Sequence, residues 1–205
     1  MFERFRRDLQ RLFELDGPEG RRASLTDKLR VLFHSPQIQA IAVYRFGHWV
    51  NENVKPKPLK LPLKVLYHTL DKTTHALWGI HIDERADIGG GLYIGHPGDL
   101  LIGPVKIGTD CNVSCNTIIG RRTDGHGAGL PTIGDRVWIG AGTIVFGNIV
   151  IGSGATVAPL TLVGRNVPPR TLVNGNPMQV MKRDYDNTQQ IYGKAGPPAT
   201  AAKTG

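Results

Sequence analysis

The stretch TIGDRVWIGAGTIVFGNIVIGSGATVAPLTLVG, residues 132–164, decides the fold because it repeats every six residues. Each repeat begins with an aliphatic residue, and in most repeats a glycine follows it directly. The aliphatic positions are Ile133, Ile139, Val145, Ile151, Val157 and Val163. Helical periodicity is absent here, and a short fixed period is the signature of a solenoid. This stretch therefore predicts a parallel β-helix built from short, flat strands.

The same period runs upstream and sets the extent of the solenoid. Its further aliphatic positions are Ile82, Ile88, Ile94 and Leu100, then, after a slip of one residue, Ile107, Val113 and Ile119. A small or β-branched residue follows four positions later in most repeats, which suits a narrow interior that a large side chain would overfill. Three repeats form one coil, and glycine suits the corners, where the backbone turns sharply. We therefore expect residues 79–183 to form the β-helix.

The flanking segments have a different character. Residues 1–78 predict helices: Ser24 begins a capping-box pattern, and Ser35-Pro36 reads as a second helix start. A third helix is expected after Pro62, with Leu63, Leu66, Leu70, Thr73 and Leu77 on one stripe. Residues 184–205 contain few bulky apolar side chains, so we expect a disordered tail.

Composition excludes several classes of protein. The net charge is +8, yet no basic run is interleaved with aromatic residues, so a nucleic-acid partner is not expected. The two cysteines, Cys111 and Cys115, cannot supply a disulfide framework or a four-thiolate zinc site. No apolar run reaches the roughly 18 residues of a transmembrane helix, and the N-terminus lacks an apolar signal core. We therefore expect a cytoplasmic protein without a transmembrane segment.

The period is interrupted between Ile119 and Ile133 by a glycine-rich loop that contains Arg121 and His126. A charged loop on a rigid scaffold is a candidate functional element. The alternative is a solvated insertion without a role.

The repeats, together with the segment Gly91-Leu92-Tyr93-Ile94-Gly95-His96 and the closing Asn174-Gly175-Asn176-Pro177, resemble the hexapeptide-repeat acyltransferases. The N-terminal helices and their junction with the coil are most similar to the serine acetyltransferase branch. The resemblance covers roughly residues 24–183. It implies a left-handed parallel β-helix with an N-terminal α-helical region. It also implies direct acetyl transfer from acetyl-CoA to a hydroxyl, without a metal, by a homotrimer or a dimer of trimers.

The resemblance assigns candidate catalytic groups. His96 matches the general base of the family, since an imidazole with a pKa near 7 suits proton removal from a hydroxyl. The acid that orients this base in the family is replaced by His81, so we expect Asp83, two residues on, to supply the carboxylate. The acid that precedes the base is replaced by Gly95. His81, Arg121 and His126 are the candidates for binding the acceptor.

The coenzyme side matches the family more closely. Ala141 and Gly142, after Ile139, and Ala158, after Val157, match turns that line the coenzyme groove in the family. Arg165 and Lys182 are available for the phosphates of acetyl-CoA, because cations favour phosphate oxygens.

Three alternatives remain open from the sequence. The departures at His81 and Gly95 point away from free serine as acceptor and towards a sugar or polysaccharide hydroxyl. A zinc hydratase on the same prism would need His81, His96 and His126 as metal ligands. A non-catalytic trimeric scaffold is the third alternative.

Overall fold

The computed structural model describes residues 2–16, 33–123, 125 and 127–193. Within these ranges, three long helices come first: α1 (Phe2–Asp16), α2 (Pro36–Asn53) and α3 (Lys57–Trp78). Strands then follow in close succession, and α4 (Thr188–Tyr192) lies near the end. The strands are β1 (Ile80–Ile82), β2 (Asp87–Ile88), β3 (Tyr93–Ile94), β4 (Leu100–Ile102), β5 (Lys106–Ile107), β6 (Asn112–Val113), β7 (Thr117–Gly120), β8 (Thr132–Ile133), β9 (Trp138–Ile139), β10 (Ile144–Phe146), β11 (Val150–Ile151), β12 (Thr156–Val157), β13 (Leu162–Val163), β14 (Leu172–Asn174) and β15 (Gln179–Lys182).

These strands form the three faces of a prism. Face 1 has the order β1-β4-β7-β10-β13, face 2 is β2-β5-β8-β11, and face 3 is β3-β6-β9-β12-β14-β15. Each strand from β1 to β10 pairs in parallel with the strand three places along the chain, β12 pairs in parallel with β14, and β15 is antiparallel to β14. A parallel bridge between Ile151 and Val167 continues face 2 into the fifth coil. The predicted fold class, a left-handed parallel β-helix with an N-terminal helical region, is confirmed.

The interior follows the hexapeptide pattern. The aliphatic residue of each repeat points inward, and Ile88, Val113 and Ile139 have no exposed surface. The small residues four positions on also point inward and are buried, as at Ala86 and Cys111. The coils stack so closely that a Cβ built on Gly108 lies 2.6 Å from the backbone carbonyl carbon of Gly134. Glycine therefore permits the close approach of successive coils.

The N-terminal helices are fixed to the first coils by buried ionic groups. The Asp8 carboxylate on α1 accepts a hydrogen bond from Arg45 on α2, with Nε 2.9 Å from Oδ2. Its Oδ1 atom accepts bonds from the backbone N–H groups of Gly91 and Leu92, at 2.7 and 2.8 Å. Arg11, also fully buried, donates to the Gly91 carbonyl at 2.7 Å. This network positions α1 and α2 against the coil that carries β3.

Two segments differ from the sequence-based expectation. Helix α3 begins at Lys57 and includes Pro62, although we expected the helix to begin after that proline. Residues 184–193 do not form a disordered tail: Asn112 donates to the Gln190 carbonyl at 2.8 Å, and Ile191 is fully buried. Residues 194–205 lie outside the described residues.

None of the described helices combines the length and apolar character needed to cross a membrane.

Candidate active site

His96 and three of the candidate coenzyme-binding residues, Ala141, Gly142 and Ala158, share one edge of the prism. The turns that lead from face 3 to face 1 follow β3, β6, β9 and β12, and they stack on one another. Gly142 donates its backbone N–H to the Cys115 carbonyl at 3.1 Å, and Leu160 donates to the Ala141 carbonyl at 2.8 Å. His96 follows β3 on this edge, and Ala158 follows β12. We call this column of turns the 3/1 edge.

His96 lies at the start of the 3/1 edge with an exposed side chain. It borders a cavity of about 280 Å³. Leu15 of α1 and Gln190 of α4 line its sides. Its floor consists of outward-facing residues of face 3, namely Tyr93, Asn112 and Trp138. Among the described residues, no hydrogen bond engages the His96 imidazole. The ring is therefore open to a ligand from this side.

Asp83, the predicted orienting acid, is engaged elsewhere. Its Oδ2 atom lies 2.6 Å from Nη2 of Arg85, and its Oδ1 atom accepts the Arg85 backbone N–H at 2.8 Å. Partial burial acts to raise the pKa of Asp83, but the hydrogen bonds from Arg85 outweigh burial and leave the pKa below its ordinary value. The part of the chain that the structure describes has no hydrogen bond between Asp83 and His96. The structure therefore does not bring these two predicted residues together.

His81 lies in the middle of β1 and is held by an acid that sequence reasoning missed. Its Nδ1 atom is 3.0 Å from Oδ2 of Asp71, on α3, and both side chains are partly buried. The hydrogen bond to Asp71 is the largest influence on this imidazole and raises the pKa of His81, against the opposing effect of burial. The pair borders a second cavity, of about 400 Å³, that Lys64 and Tyr67 also line.

The glycine-rich loop leaves the prism at a different edge. Arg121 follows β7, at the turn from face 1 to face 2, so it does not share the 3/1 edge with His96. The loop closes on itself, because Arg122 and Gly129 exchange two backbone hydrogen bonds of 2.9 Å. His126, the other predicted acceptor-binding residue of this loop, lies outside the described residues.

The two predicted phosphate-binding cations lie in the later coils. Arg165 donates to the Met178 carbonyl and borders a cavity of about 350 Å³ that Phe146 and Leu162 also line. Lys182 lies on β15, with Nζ 5.7 Å from the centre of the Tyr185 ring. Both belong to the end of the prism remote from β1. Within the described ranges, no three His, Cys, Asp or Glu side chains form a group suited to a metal ion.

Comparisons with known proteins agree with this architecture. No family model matches the chain. The chain is 31% identical over 184 residues to the serine acetyltransferase of Synechococcus elongatus, which covers 89% of this chain and 70% of that protein. It is 31% identical over 154 residues to the serine acetyltransferase of Mycobacterium tuberculosis, covering 75% of this chain and 64% of that protein. The crystal structure of Neisseria gonorrhoeae serine acetyltransferase in complex with serine has a TM-score of 0.69 and 25% identity, and the match covers 88% of this chain and 69% of that chain.

Proposed function

Because the chain belongs to the serine acetyltransferase family, we propose that it transfers an acetyl group from acetyl-CoA to the hydroxyl of L-serine. The observation that carries this proposal is the position of His96. Its open imidazole stands at the head of the edge that also bears Ala141, Gly142 and Ala158. A base and a coenzyme-binding surface on one rigid edge are what direct acetyl transfer requires.

We assign to His96 the role of general base. A serine hydroxyl is a poor nucleophile until its proton is removed, and a neutral imidazole accepts that proton as the oxygen attacks the thioester carbon. The new C–O bond forms, the C–S bond breaks, and the imidazolium returns the proton to the departing thiolate. A backbone N–H group stabilises the negative charge on the thioester oxygen during attack. The products are O-acetylserine and free CoA, and His96 is again neutral.

We propose that acetyl-CoA lies along the 3/1 edge. The small side chains of Ala141 and Ala158 let an extended ligand approach the backbone of these turns. Lys182, on β15, and Arg165 of a neighbouring copy, which follows β13 at the turn from face 1 to face 2, lie at the later end of the prism and would then bind the phosphates of the coenzyme. This arrangement directs the thioester end of the coenzyme towards His96.

The acceptor side of the site needs a second copy of the chain. His96 and Arg121 lie on the two different edges that flank face 1. On face 1, Leu101, Ile118 and Ile144 lie in register on adjacent strands, and their apolar side chains are exposed. We call this outward-facing row the apolar ladder of face 1. Burying this ladder between prisms would bring the 3/1 edge of one chain to the Arg121 loop of its neighbour. We therefore propose a homotrimer in which His81, Arg121 and His126 bind the acceptor, and we expect it to act in the cytoplasm.

The test is cleavage of the acetyl-CoA thioester, measured as free thiol, with L-serine, with a panel of sugars and without acceptor. The proposal predicts serine-dependent thiol release and O-acetylserine by mass spectrometry. Thiol release with a sugar but not with serine would identify a sugar hydroxyl, instead of the serine hydroxyl, as the acceptor. Absence of thiol release with every acceptor would favour a non-catalytic scaffold.

A further inference from the structure

The cavity beside His96 has no occupant in the proposed mechanism. It has a volume of about 280 Å³ and lies on face 3, and we call it the face 3 cavity. The proposed acceptor groups lie elsewhere: His81 is on face 1, and Arg121 is at the turn from face 1 to face 2. The proposed path of the coenzyme follows the 3/1 edge. The face 3 cavity therefore lies on the side of His96 that is opposite to the acceptor.

The face 3 cavity meets the 3/1 edge at the place where the thioester must react. Gly95 and Ser114, which directly follow β3 and β6 on this edge, both line it. From there the cavity extends over side chains that lie in register on three adjacent strands of face 3, namely Tyr93, Asn112 and Trp138. An acyl group whose carbonyl carbon is held beside His96 at the edge can therefore extend its chain into the cavity.

The size and the apolar surface of the face 3 cavity suit a short aliphatic chain. Leu15 lines one side, and the rings of Tyr93 and Trp138 belong to the floor. Burial against such surface removes methylene groups from water, which is favourable. At about 30 Å³ per water molecule of the liquid, the volume corresponds to about nine waters. An acetyl group, which ends in a single methyl group, is too small to fill it.

The two amide side chains of the cavity are engaged within the chain. Asn112 accepts a hydrogen bond at Oδ1 from Nη2 of Arg11 at 2.6 Å, and its Nδ2 atom donates to the Gln190 carbonyl at 2.8 Å. Gln190 donates from Nε2 to the Tyr185 hydroxyl at 2.5 Å. The Oε1 atom of Gln190 has no partner among the described residues, but it is inaccessible to solvent and so does not face a ligand. An aliphatic chain can therefore enter the cavity without breaking a hydrogen bond of these amides.

Water in the face 3 cavity is unfavourable for acyl transfer. A water molecule beside the thioester competes with the acceptor hydroxyl, and exclusion of water is one means by which an active site prevents hydrolysis. An acyl chain that fills the cavity removes this competitor from the side of His96 that the acceptor does not cover.

We propose that the face 3 cavity binds the acyl chain of thioesters longer than acetyl-CoA, with propionyl and butyryl groups as its ligands. The chemistry is that of acetyl transfer: the bond between the acceptor oxygen and the carbonyl carbon forms, the C–S bond breaks, and the proton passes through His96 to the CoA thiolate. With serine and butyryl-CoA, the products are O-butyrylserine and free CoA. This transfer rests on the proposed function, whereas binding of the acyl chain is measurable without an acceptor.

Calorimetry with acetyl-CoA and butyryl-CoA, in the absence of acceptor, tests the binding of the chain. Two additional buried methylene groups should make the dissociation constant of butyryl-CoA about tenfold lower than that of acetyl-CoA. Equal or weaker binding of butyryl-CoA would overturn the inference, and serine-dependent cleavage of acetyl-CoA by the same preparation would show that the proposed function still stands. Tighter binding of butyryl-CoA without serine-dependent cleavage of either thioester would support the cavity and contradict the proposed acceptor.

Two tryptophan variants that fill the cavity from different helices test its location. Leu15→Trp on α1 and Gln190→Trp on α4 should each abolish the calorimetric preference for butyryl-CoA. Each should also lower the ratio of kcat/KM for butyryl-CoA to kcat/KM for acetyl-CoA, in serine-dependent thiol release, by about tenfold or more. The matched control is Gln189→Trp, the same change at the exposed neighbouring position, which should leave both quantities unchanged.

The variants also separate an acyl site from an acceptor site. An unchanged preference in both cavity variants would overturn the inference. A raised KM for serine at an unchanged ratio would overturn it as well, and would assign the face 3 cavity to the acceptor. Because the two substitutions lie on different helices, failure of one variant to fold leaves the other as the test.

Discussion

The imidazole of His81 is held by the carboxylate of Asp71, with Nδ1 3.0 Å from Oδ2, across the junction between α3 and β1. Gly79, in the left-handed conformation with φ of 70°, ends the helix between them. The chain reverses there, so an acid on the last turns of α3 faces the first strand of the prism. The contact ties the helical region to face 1 and keeps the His81 ring in one orientation.

Asp71→Asn should lower the pKa of His81, because it removes the negative charge that raises it. The imidazole titration, followed by NMR, measures this directly. A pKa that is higher in the folded than in the unfolded state stabilises the fold below the unfolded value of about 6.5. That stabilisation is lost as the pH rises through the folded pKa. Asp71→Asn should therefore destabilise the protein more at pH 5.5 than at pH 9 in urea unfolding, and equal losses at both pH values would contradict this assignment.

Arg45→Met should lower the free energy of unfolding by about 3–5 kcal/mol, because it leaves Asp8 buried without its cation. The matched control is Arg4→Met. The Arg4–Asp87 pair has a similar N···O distance, 2.7 Å, but both partners are about half exposed. Its loss should cost less than about 1 kcal/mol. Similar costs for the two variants, in denaturant titrations, would mean that the Asp8–Arg45 pair does not anchor α1 and α2.

Gly108→Ala should destabilise the β-helix by about 1–3 kcal/mol, because the added Cβ meets the backbone of the next coil. Gly120→Ala provides the control, since a Cβ at Gly120 has no neighbour within 4 Å among the described residues. Thermal unfolding of the two variants compares the same chemical change at a close-packed position and at an open position, the end of β7. If Gly108→Ala is as stable as Gly120→Ala, successive coils are not in close contact at this corner.

The two cysteines should differ in reactivity. Cys111 is 1% exposed, and burial raises the pKa of its thiol to about 12, so the thiolate that attacks alkylating agents is scarce. Cys115 is partly exposed on the 3/1 edge. Iodoacetamide at pH 8 should modify one thiol in the native protein and two in denaturant, as counted by mass spectrometry. Rapid modification of both native thiols would place Cys111 outside the core.

The prism could be predicted from the sequence because its pattern is purely local. One inward aliphatic residue in every six, as at Ile139 and Val157, is repeated too often to have another physical explanation. The anchoring of the helices could not be predicted, because it depends on charged residues that are buried. Arg11, Arg45 and Asp8 resemble solvated surface residues until the fold brings backbone carbonyl and N–H groups to them.

The candidate site was predictable only in part, for a similar reason. His96 is adjacent to the glycine that marks a repeat, so its place on an edge follows from the period. Asp71 belongs to a helix, and its contact with His81 depends on how α3 meets β1, which no local pattern contains. The sequence pattern does not predict the ordered segment around Ile191, because one buried apolar side chain and hydrogen bonds from the side chains of Asn112 and Asn187 stabilise it. The sequence predicts that the helix begins after Pro62, yet Pro62 is the sixth residue of α3, so the helix forms although one intrahelical N–H donor is missing there.

The most direct test is the rate of serine-dependent thiol release from acetyl-CoA by the wild-type protein, His96→Ala and the control His34→Ala. Loss of a general base predicts that His96→Ala lowers turnover by about 10²–10⁴-fold. CoA affinity, measured by calorimetry, should remain within a few-fold of wild type, and His34→Ala, at an exposed position in the helical region, should retain full activity. Serine-dependent turnover at the wild-type rate in His96→Ala would contradict the assignment of His96 as the base for acetyl transfer.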